Sequence, residues 1–150
     1  MRVAEVMTTD VKTVSPRVAA SDAWALMRRA GIHHLVVTDE SRVVGVLSER
    51  DAGGRKGGRL RAKSRVEDLM TKSVVTIDPA TTLRRVASLV RGRTIGCVPV
   101  MSGGRLKGIL TATDLLEVLG GPTDREARRR RSDLHFRSPH RKRHRAYGAW

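Results

Sequence analysis

Segments with helical periodicity alternate with short apolar runs along the chain, and this pattern occurs twice. In the first half, the apolar side chains of residues 24–30 fall on one side of a predicted helix, which Ser21 or Asp22 is placed to cap. In the second half, Thr82 is the predicted cap. Apolar residues then recur at i, i+3, i+4 and i+7, at Leu83, Val86, Ala87 and Val90. The pattern predicts one amphipathic helix in each half.

Strands are predicted on both sides of each helix. Before the helices, the predicted strands are VKTVSP (11–16) in the first copy and VVTIDP (74–79) in the second. After the helix, the first copy has HHLVVT (33–38) and RVVGVL (42–47). The second copy has CVPVM (97–101) and RLKGIL (105–110). A further helix is predicted after Asp51, where Gly53 and Gly54 cut it short, and after Asp114, where it runs to the GGP sequence at 120–122. The predicted order is β-α-β-β-α, twice, which is a mixed α/β (α+β) fold.

An ungapped match at one constant offset shows that the two halves are copies of one another. The two residues of every matched pair are the same number of positions apart. The pairs include Val3/Val66, Met7/Met70, Thr8/Thr71, Val11/Val74, Pro16/Pro79, Leu26/Leu89, Ile32/Ile95, Gly45/Gly108, Leu47/Leu110 and Asp51/Asp114. So many matches without a gap rarely arise by chance, so the sequence indicates a tandem duplication. The predicted boundaries are 1–62 for the first repeat with a basic linker, 63–121 for the second repeat, and 122–150 for a C-terminal tail.

Composition narrows the class of protein. Aromatic residues make up only 3% of the chain, so the core must be aliphatic, and the single cysteine, Cys97, excludes an intramolecular disulfide. The first twenty residues contain charged side chains where a secretory signal would be apolar. No apolar run approaches the roughly 18 residues that cross a bilayer. We therefore expect a soluble, cytoplasmic protein without a membrane partner.

The net charge of +15 is concentrated in two segments. Residues 122–150 carry ten Lys/Arg against three Asp/Glu, and residues 52–65 carry six cations without an acid. The tail has too few aliphatic residues to bury a face and is predicted to be disordered. Its arginines, with Phe136, Tyr147 and Trp150 nearby, suit binding of nucleic acid or another polyanion. A solvated tail without a partner is the simpler alternative.

The two copies together resemble a pair of cystathionine-β-synthase (CBS) domains over about residues 1–120. The resemblance rests on the whole pattern, from VMTTDVKTVSP to GVLSERD in the first copy and from LMTKSVVTIDP to GILTATD in the second. It implies two repeats packed sheet to sheet with pseudo-two-fold symmetry. It also implies a cleft that binds an adenosine compound, namely AMP, ADP, ATP or S-adenosylmethionine. Such modules commonly form homodimers and regulate another protein, whose identity the sequence does not reveal.

The end of the second strand of each copy carries the residues that the resemblance assigns to the ligand. The ribose and phosphate side comprises Ser48, Arg50 and Asp51 in the first copy, and Thr111, Thr113 and Asp114 in the second. A carboxylate can accept hydrogen bonds from both ribose hydroxyls, and a hydroxyl near a helix N-terminus suits phosphate. The alternative interpretation is that each aspartate only caps the helix that follows it.

The adenine side is expected at the start of the first strand of each hairpin, contributed by the other repeat. The resemblance assigns this role to backbone at Ile32-His33 and Ile95-Gly96, and a phosphate-binding cation to the position of His34. The equivalent of His34 is Cys97, so the two sites are chemically unequal. The family usually has proline at the position of Val36, as the second copy has at Pro99, so the two strand entries are expected to differ.

Other chemistries receive little support from the sequence. His33 and His34 are adjacent on a strand, so their side chains point to opposite faces and chelate a metal poorly. No nucleophile with a general base, and no paired carboxylates in a catalytic context, can be recognised, so we expect a regulatory protein and not an enzyme. The alternative function is a nucleic-acid-associated protein in which the repeats are a dimeric scaffold and the tail binds.

Overall fold

The computed structural model describes residues 1–93 and 95–120. The chain divides into a unit of residues Met1–Leu115, which contains most of both repeats, and a unit of residues Leu116–Trp150, of which only 116–120 are described. The predictions made for the basic tail at 122–150 lie outside the described residues.

The described elements follow the predicted two-copy order. They are a 3-10 helix at Val3–Glu5, β1 (Thr13–Val14), α1 (Ala20–Ala30), β2 (His34–Asp39), β3 (Arg42–Ser48), α2 (Gly58–Ala62), α3 (Val66–Leu69), α4 (Leu83–Arg93), β4 (Cys97–Ser102), β5 (Arg105–Thr111) and α5 (Ala112–Gly120). The antiparallel hairpins β2–β3 and β4–β5 occupy equivalent positions in the two repeats. The prediction of a mixed α/β fold with two repeats is confirmed.

The short strand that precedes each helix differs between the repeats, and the reason lies at Val36 and Pro99. The Val36 N–H donates to the carbonyl of Lys12 at 3.3 Å, and β1 pairs in parallel with β2. At the equivalent position Pro99 has no N–H, so the second repeat keeps only an isolated bridge between Ile77 and Val100. The predicted strand at 74–79 is therefore wrong, whereas the predicted difference in strand entry is confirmed.

Two predictions about helix ends were also tested by the structure. The N-cap of α1 is Ala19, which has no side-chain cap, so the prediction that Ser21 or Asp22 caps the helix is wrong. Instead the Ala20 N–H donates to the carbonyl of Ser64 at 2.9 Å, because the segment that leads into the second repeat lies against this end of α1. The cap predicted at Thr82 is supported by a bond of 3.4 Å from the Arg85 N–H to its hydroxyl.

The helix predicted after Asp51 does not form. Residues 49–53 make turns, and Gly53 and Gly54 have φ values of +89° and +64°, in the left-handed region that ends a helix. The chain becomes helical again only in α2. The equivalent segment of the second repeat has alanine and leucine at 112 and 115–116 and continues directly into α5. Glycine at two successive positions accounts for this difference.

The linker predicted at 52–65 is partly built into the first repeat. Arg61 is only 7% exposed, and its guanidinium lies 3.9 Å from the centroid of the Trp24 ring. Its Nη1 atom donates to the carbonyl of Ala52 at 2.8 Å and also to the carbonyl of Gly54. Arg61 is thus a structural residue that holds the turn after Asp51, and it is not available to a polyanion.

The segment at the start of each repeat crosses over to the other repeat. Val3 donates its N–H to the carbonyl of Thr81 at 2.9 Å, and Thr8 forms a bridge with Ile109. The equivalent segment shows the same arrangement, since the Val66 N–H donates to the carbonyl of Val18 at 2.9 Å and Thr71 forms a bridge with Val46. The offset that relates Val3 to Val66 also relates every partner in these contacts, so the exchange follows the pseudo-two-fold symmetry.

The hydrophobic clusters reflect this exchange. The core of the first repeat contains Val66 together with Ala23, Met27, Leu35, Val37, Leu47 and Ala52. The core of the second contains Val3 together with Ile77, Val86, Val98, Val100 and Leu110. A third cluster, built on Val36, Cys97 and Ile109, joins residues of both sheets. The sheets therefore pack against one another, and the core of each repeat includes a valine from the other repeat.

The repeated glycine in GVL (45–47) and GIL (108–110) is explained by the crossing segments. A Cβ atom on Gly108 would lie 2.8 Å from the carbonyl oxygen of Thr8 and 2.7 Å from the sulfur of Met7. A Cβ on Gly45 would lie 3.0 Å from the carbonyl oxygen of Thr71. Backbone passes so close to the strand at both places that only glycine fits.

We expect Gly108→Ala to lower the free energy of unfolding by about 1–3 kcal/mol, because the methyl group must displace the backbone of the crossing segment. Gly92→Ala is the matched control. It lies in α4, and no atom lies within 4 Å of the position that its methyl group would take, so it should raise stability by up to about 1 kcal/mol. Urea unfolding followed by circular dichroism measures both. An unchanged stability for Gly108→Ala would contradict the close approach.

Candidate functional site

The hydroxyl and the aspartate at the end of β3 bind each other's backbone. The Ser48 N–H donates to Oδ2 of Asp51 at 3.0 Å, and the Asp51 N–H donates to the Ser48 hydroxyl oxygen at 3.0 Å. The second copy has the same pair, with 2.8 Å from the Thr111 N–H to Asp114 and 3.1 Å from the Asp114 N–H to the Thr111 hydroxyl. This reciprocal arrangement is that of a capping box, in which the aspartate lies three residues after the hydroxyl residue. In the second copy it caps α5, and in the first copy it closes the turn at 49–53.

The capping box leaves acceptor capacity on the carboxylate. Oδ2 of Asp51 accepts from Ser48 and, at 3.5 Å, from the Thr71 hydroxyl. In the described part of the chain, no donor reaches the other oxygen of Asp51. An ionised carboxylate has about four lone-pair positions, so a structural role in capping does not exclude a ligand contact. The two interpretations that the sequence left open for Asp51 are therefore compatible.

Asp51 lies at a cavity of about 930 Å³, which we call the Asp51 cleft. The first repeat contributes Ser48 and Arg50 from the end of β3, and His33 and His34 from the start of β2. The second repeat contributes the crossing segment at 71–75, the last turn of α4 and the start of β4; lining residues from these parts are Thr71, Ser73, Val74, Val75, Val90, Arg91, Arg93, Ile95, Gly96 and Cys97. The cleft thus brings a polar wall from one repeat against a mostly apolar wall from the other.

Seven of the residues proposed from the sequence line this one cleft: Ser48, Arg50, Asp51, His33, His34, Ile95 and Gly96. Four do not line it, as far as the described chain shows. Thr111, Thr113 and Asp114 lie at the equivalent end of β5, and Ile32 packs against the core of the first repeat. The structure therefore brings the residues that the resemblance assigns to the ribose side of the first copy together with those that it assigns to the adenine side of the second.

His34 is a partly buried ionisable group of the cleft's polar wall. Burial lowers the pKa of His34 below its usual value of 6.5, and neighbouring His33 lowers it further. The carboxylates of Asp51, Glu49 and Asp114 oppose this shift without reversing it. The lowered pKa favours the neutral imidazole at pH 7, which can donate or accept a hydrogen bond in the cleft.

Gly96 allows His34 to occupy this position. A Cβ on Gly96 would lie 3.1 Å from Nε2 of His34, so a larger residue would push the ring away. Cys97, the residue equivalent to His34, follows Gly96 at the start of β4. Burial, with a smaller effect from Asp114, raises the pKa of the Cys97 thiol to about 12, so it is an apolar lining group and not a nucleophile.

Arginines outnumber carboxylates in the lining of the cleft. Arg50 comes from the first repeat, and Arg91 and Arg93 come from the last turn of α4. Only two carboxylates among the lining residues, Glu49 and Asp51, oppose these three guanidinium groups, and Glu49 already contacts Nδ1 of His33 at 3.0 Å. The excess of positive charge favours a ligand that carries phosphate.

Sequence reasoning selected Ile95 and Gly96 but missed the other lining residues that come from the second repeat. Arg91 and Arg93 resemble the ordinary exposed face of an amphipathic helix, and Val74 and Val75 resemble strand residues. Val74 and Val75 belong to the segment that crosses toward the first repeat, whereas Arg91 and Arg93 come from the last turn of α4. The paired Met-Thr at 7–8 and 70–71 was the available signal, because a repeated motif outside the predicted strands and helices indicates a structural contact.

The described part of the chain contains neither a cluster of metal-binding side chains nor a membrane-spanning helix. Residues 1–93 and 95–120 contain no group of three or more His, Cys, Asp or Glu side chains arranged to hold a metal ion. None of the described helices has the length and apolarity needed to cross a bilayer.

Comparison with known sequences identifies the repeats. Residues 3–52 and 66–121 each match the CBS domain. Inosine-5'-monophosphate dehydrogenase of Korarchaeum cryptofilum is 36% identical over 107 residues, which cover 71% of this chain and 22% of that enzyme. The chain thus spans about a fifth of the length of that relative, and the similarity lies in a part of the enzyme.

Comparison with solved structures gives the same fold. A putative signal-transduction protein with CBS domains from Burkholderia ambifaria MC40-6 superposes with a TM-score of 0.74 at 25% identity, covering 83% of this chain and 97% of that one. CBSX2, solved in complex with AMP, superposes with a TM-score of 0.68 at 25% identity, covering 79% of this chain and 95% of that one. These matches cover nearly the whole of each solved chain.

Proposed function

The chain belongs to the CBS domain family, and from that premise we propose that it is a regulatory protein that binds a phosphorylated adenosine compound in the Asp51 cleft. The observation that carries this proposal is the meeting of Asp51 and Ser48 with an apolar wall and two arginines from the other repeat. Each part of the cleft suits one part of such a ligand.

The ribose is assigned to Asp51. The carboxylate is held by the Ser48 N–H and keeps a second oxygen for the ligand. Adjacent hydroxyls on a ribose can both donate to one carboxylate, and such charge-assisted hydrogen bonds are stronger than neutral ones. The capping box fixes the orientation of the carboxylate before the ligand arrives, which lowers the entropy lost on binding.

The base is assigned to the wall from the second repeat. Val74, Val75, Val90 and Ile95 are half-buried and present an apolar surface of the kind that a planar purine covers. Gly96 adds no side chain, so its backbone remains accessible to the base. A base at this wall and a ribose at Asp51 would bridge the two repeats, and its binding would bias their relative pose.

The phosphate is assigned to the arginines and to His34. A phosphate group favours guanidinium partners because its oxygens match their paired donors. At pH 7 S-adenosylmethionine carries a sulfonium, an ammonium and a carboxylate, so its net charge is positive and it offers Arg50, Arg91 and Arg93 only one anionic group. The charge of the cleft therefore favours AMP, ADP or ATP over S-adenosylmethionine. The complex of CBSX2 with AMP provides a precedent in a protein of the same fold.

The equivalent cleft at Asp114 is proposed to bind more weakly. In the alignment of the two repeats, Arg50 is replaced by Thr113, Arg93 by Ala30, and Ser73 by Asp10. These changes remove two cations and add an acid. In this proposal the protein is a sensor without catalytic activity, and a homodimer formed through its helices transmits ligand binding to a partner protein.

A thermal-shift panel of AMP, ADP, ATP, S-adenosylmethionine and GTP tests this function. At 100 times its dissociation constant, a ligand should stabilise the protein by about 2.7 kcal/mol, which is roughly 5–10 °C for a chain of this size. The adenine nucleotides should raise the melting temperature, and S-adenosylmethionine should raise it less. A panel without any shift at millimolar concentration, or a shift by S-adenosylmethionine alone, would refute the proposal.

A further inference from the structure

A second cavity adjoins the Asp51 cleft. Its volume is about 520 Å³, and it shares three lining residues with the cleft: His33, Glu49 and Arg50. Its remaining wall comes from α1 and from the glycine turn that replaces a helix after Asp51. We call it the arginine annex, because Arg28 and Arg55 line it together with the shared Arg50.

Positive charge dominates the annex. Arg28 comes from α1, and Arg50 and Arg55 come from the loop between β3 and α2; all three line one space, where Glu49 is the only carboxylate among the lining residues. Glu49 lies 3.0 Å from Nδ1 of His33, and this contact offsets part of its charge when His33 is protonated. Like charges that share one space repel one another unless an anion joins them, so the annex favours an anionic occupant.

Contacts of Arg61 and Arg28 with Trp24 support the walls of the annex. Buried Arg61 stacks on the ring of Trp24 at 3.9 Å and donates to the carbonyls of Ala52 and Gly54, so it fixes the turn that carries Arg55. The guanidinium of Arg28 lies 5.8 Å from the centroid of the same ring, within cation–π range. Trp24 thus forms a common support for both sides of the annex.

We propose that the arginine annex binds the terminal phosphates of a nucleoside polyphosphate whose nucleoside occupies the Asp51 cleft. This inference rests on the proposed function and extends it, because it selects among the adenine nucleotides. Arg50 lines both spaces, so a phosphate group bound at Arg50 is placed to extend toward Arg28 and Arg55. In this proposal the single phosphate of AMP stays on the Asp51 side of the shared wall. The protein would then distinguish ATP from AMP by contacts that only the longer chain makes.

Calorimetric titration of AMP and of ATP into the full chain, at about 150 mM salt, tests the annex. The test variant is Arg28→Gln/Arg55→Gln, whose two residues do not line the Asp51 cleft. The matched control is Lys56→Gln/Lys63→Gln, which removes the same charge from exposed positions that line neither space. We expect ATP affinity to fall about tenfold or more in the test variant, AMP affinity to change less than twofold, and the control to match the wild type.

The outcomes separate this inference from the function on which it rests. An unchanged ratio of ATP to AMP affinity in the test variant, or an equal loss for both nucleotides, would overturn the annex and leave nucleotide binding intact. If neither nucleotide binds the wild type, the proposed function fails, and inorganic tripolyphosphate alone then decides the annex. Binding of tripolyphosphate that is lost in the test variant supports an anion site there, and an absence of such binding overturns it.

Discussion

Replacement of Val3 by aspartate is expected to lower the free energy of unfolding by more than about 4 kcal/mol, although the residue lies near the start of the chain. Val3 is fully buried in the core of the second repeat, among Val86, Val98 and Leu110. Burial of a carboxylate without a partner carries a large desolvation cost, and loss of the valine also leaves its contacts unfilled. A free N-terminal segment would show neither effect.

The neighbouring residue provides the control for this prediction. Ala4 is exposed, and its backbone N–H donates to the carbonyl of Pro79 whatever its side chain is. Ala4→Asp should therefore change stability by less than about 0.5 kcal/mol. Val66→Asp should resemble Val3→Asp, because Val66 is its counterpart in the core of the first repeat. Urea unfolding measures all three, and equal stability of Val3→Asp and Ala4→Asp would contradict the crossing of the segments.

Asp51→Ala is expected to weaken AMP binding by roughly ten- to a hundredfold, the equivalent of about 1.5–3 kcal/mol for the loss of a charged hydrogen-bond acceptor. Asp114→Ala should weaken it less than about threefold, since Asp114 does not line the Asp51 cleft. Both substitutions break a capping box of the same geometry, so each should cost about 1 kcal/mol of stability. The pair therefore separates ligand contact from capping.

Calorimetry on the two variants, together with their melting temperatures without ligand, gives the comparison. If both variants lose the same affinity, Asp51 and Asp114 contribute equally to AMP binding, and the ranking of the two sites is wrong. If neither loses affinity, Asp51 has only the structural role of a residue in a capping box.

The internal match between the two halves was sufficient to predict the fold class, because it aligned strands, helices and turns in both copies. The same match showed that a hydroxyl and a carboxylate recur at one spacing at a strand end, and the resemblance to CBS domains then assigned Ser48 and Asp51 to a ligand. The physical basis is local in both cases. Hydrophobic periodicity defines the elements, and the capping box needs only a hydroxyl and a carboxylate at positions i and i+3.

The crossing of the N-terminal segments could not be predicted in the same way. An exchanged and an unexchanged pair of repeats have identical periodicity, and they differ only in which copy buries Val3 and Val66. The contribution of Arg91 and Arg93 to the cleft was also missed, because their spacing on α4 is that of ordinary exposed residues. Gly45 and Gly108 were recognised as repeated residues, but their reason is a backbone contact with a distant segment.

The basic linker shows a second limit of sequence reasoning. Six cations in residues 52–65 suggested a basic linker, yet Arg61 is buried against Trp24. Charge composition predicts that an arginine is exposed, because most arginines are. Arg61 is buried because the ring of Trp24 and two backbone carbonyls are its specific partners. A buried guanidinium is stable only when its donors are satisfied, and that requires the folded turn.

Backbone amide chemical shifts of the labelled protein, recorded during titration with AMP, show whether one ligand contacts both repeats. We expect shifts at residues 48–51 in one repeat and at 95–97 in the other, because one ligand contacts both walls of the Asp51 cleft. Residues 111–114 should move much less at low AMP concentration. Shifts confined to 111–114, or an unchanged spectrum at millimolar AMP, would contradict the assignment of the cleft.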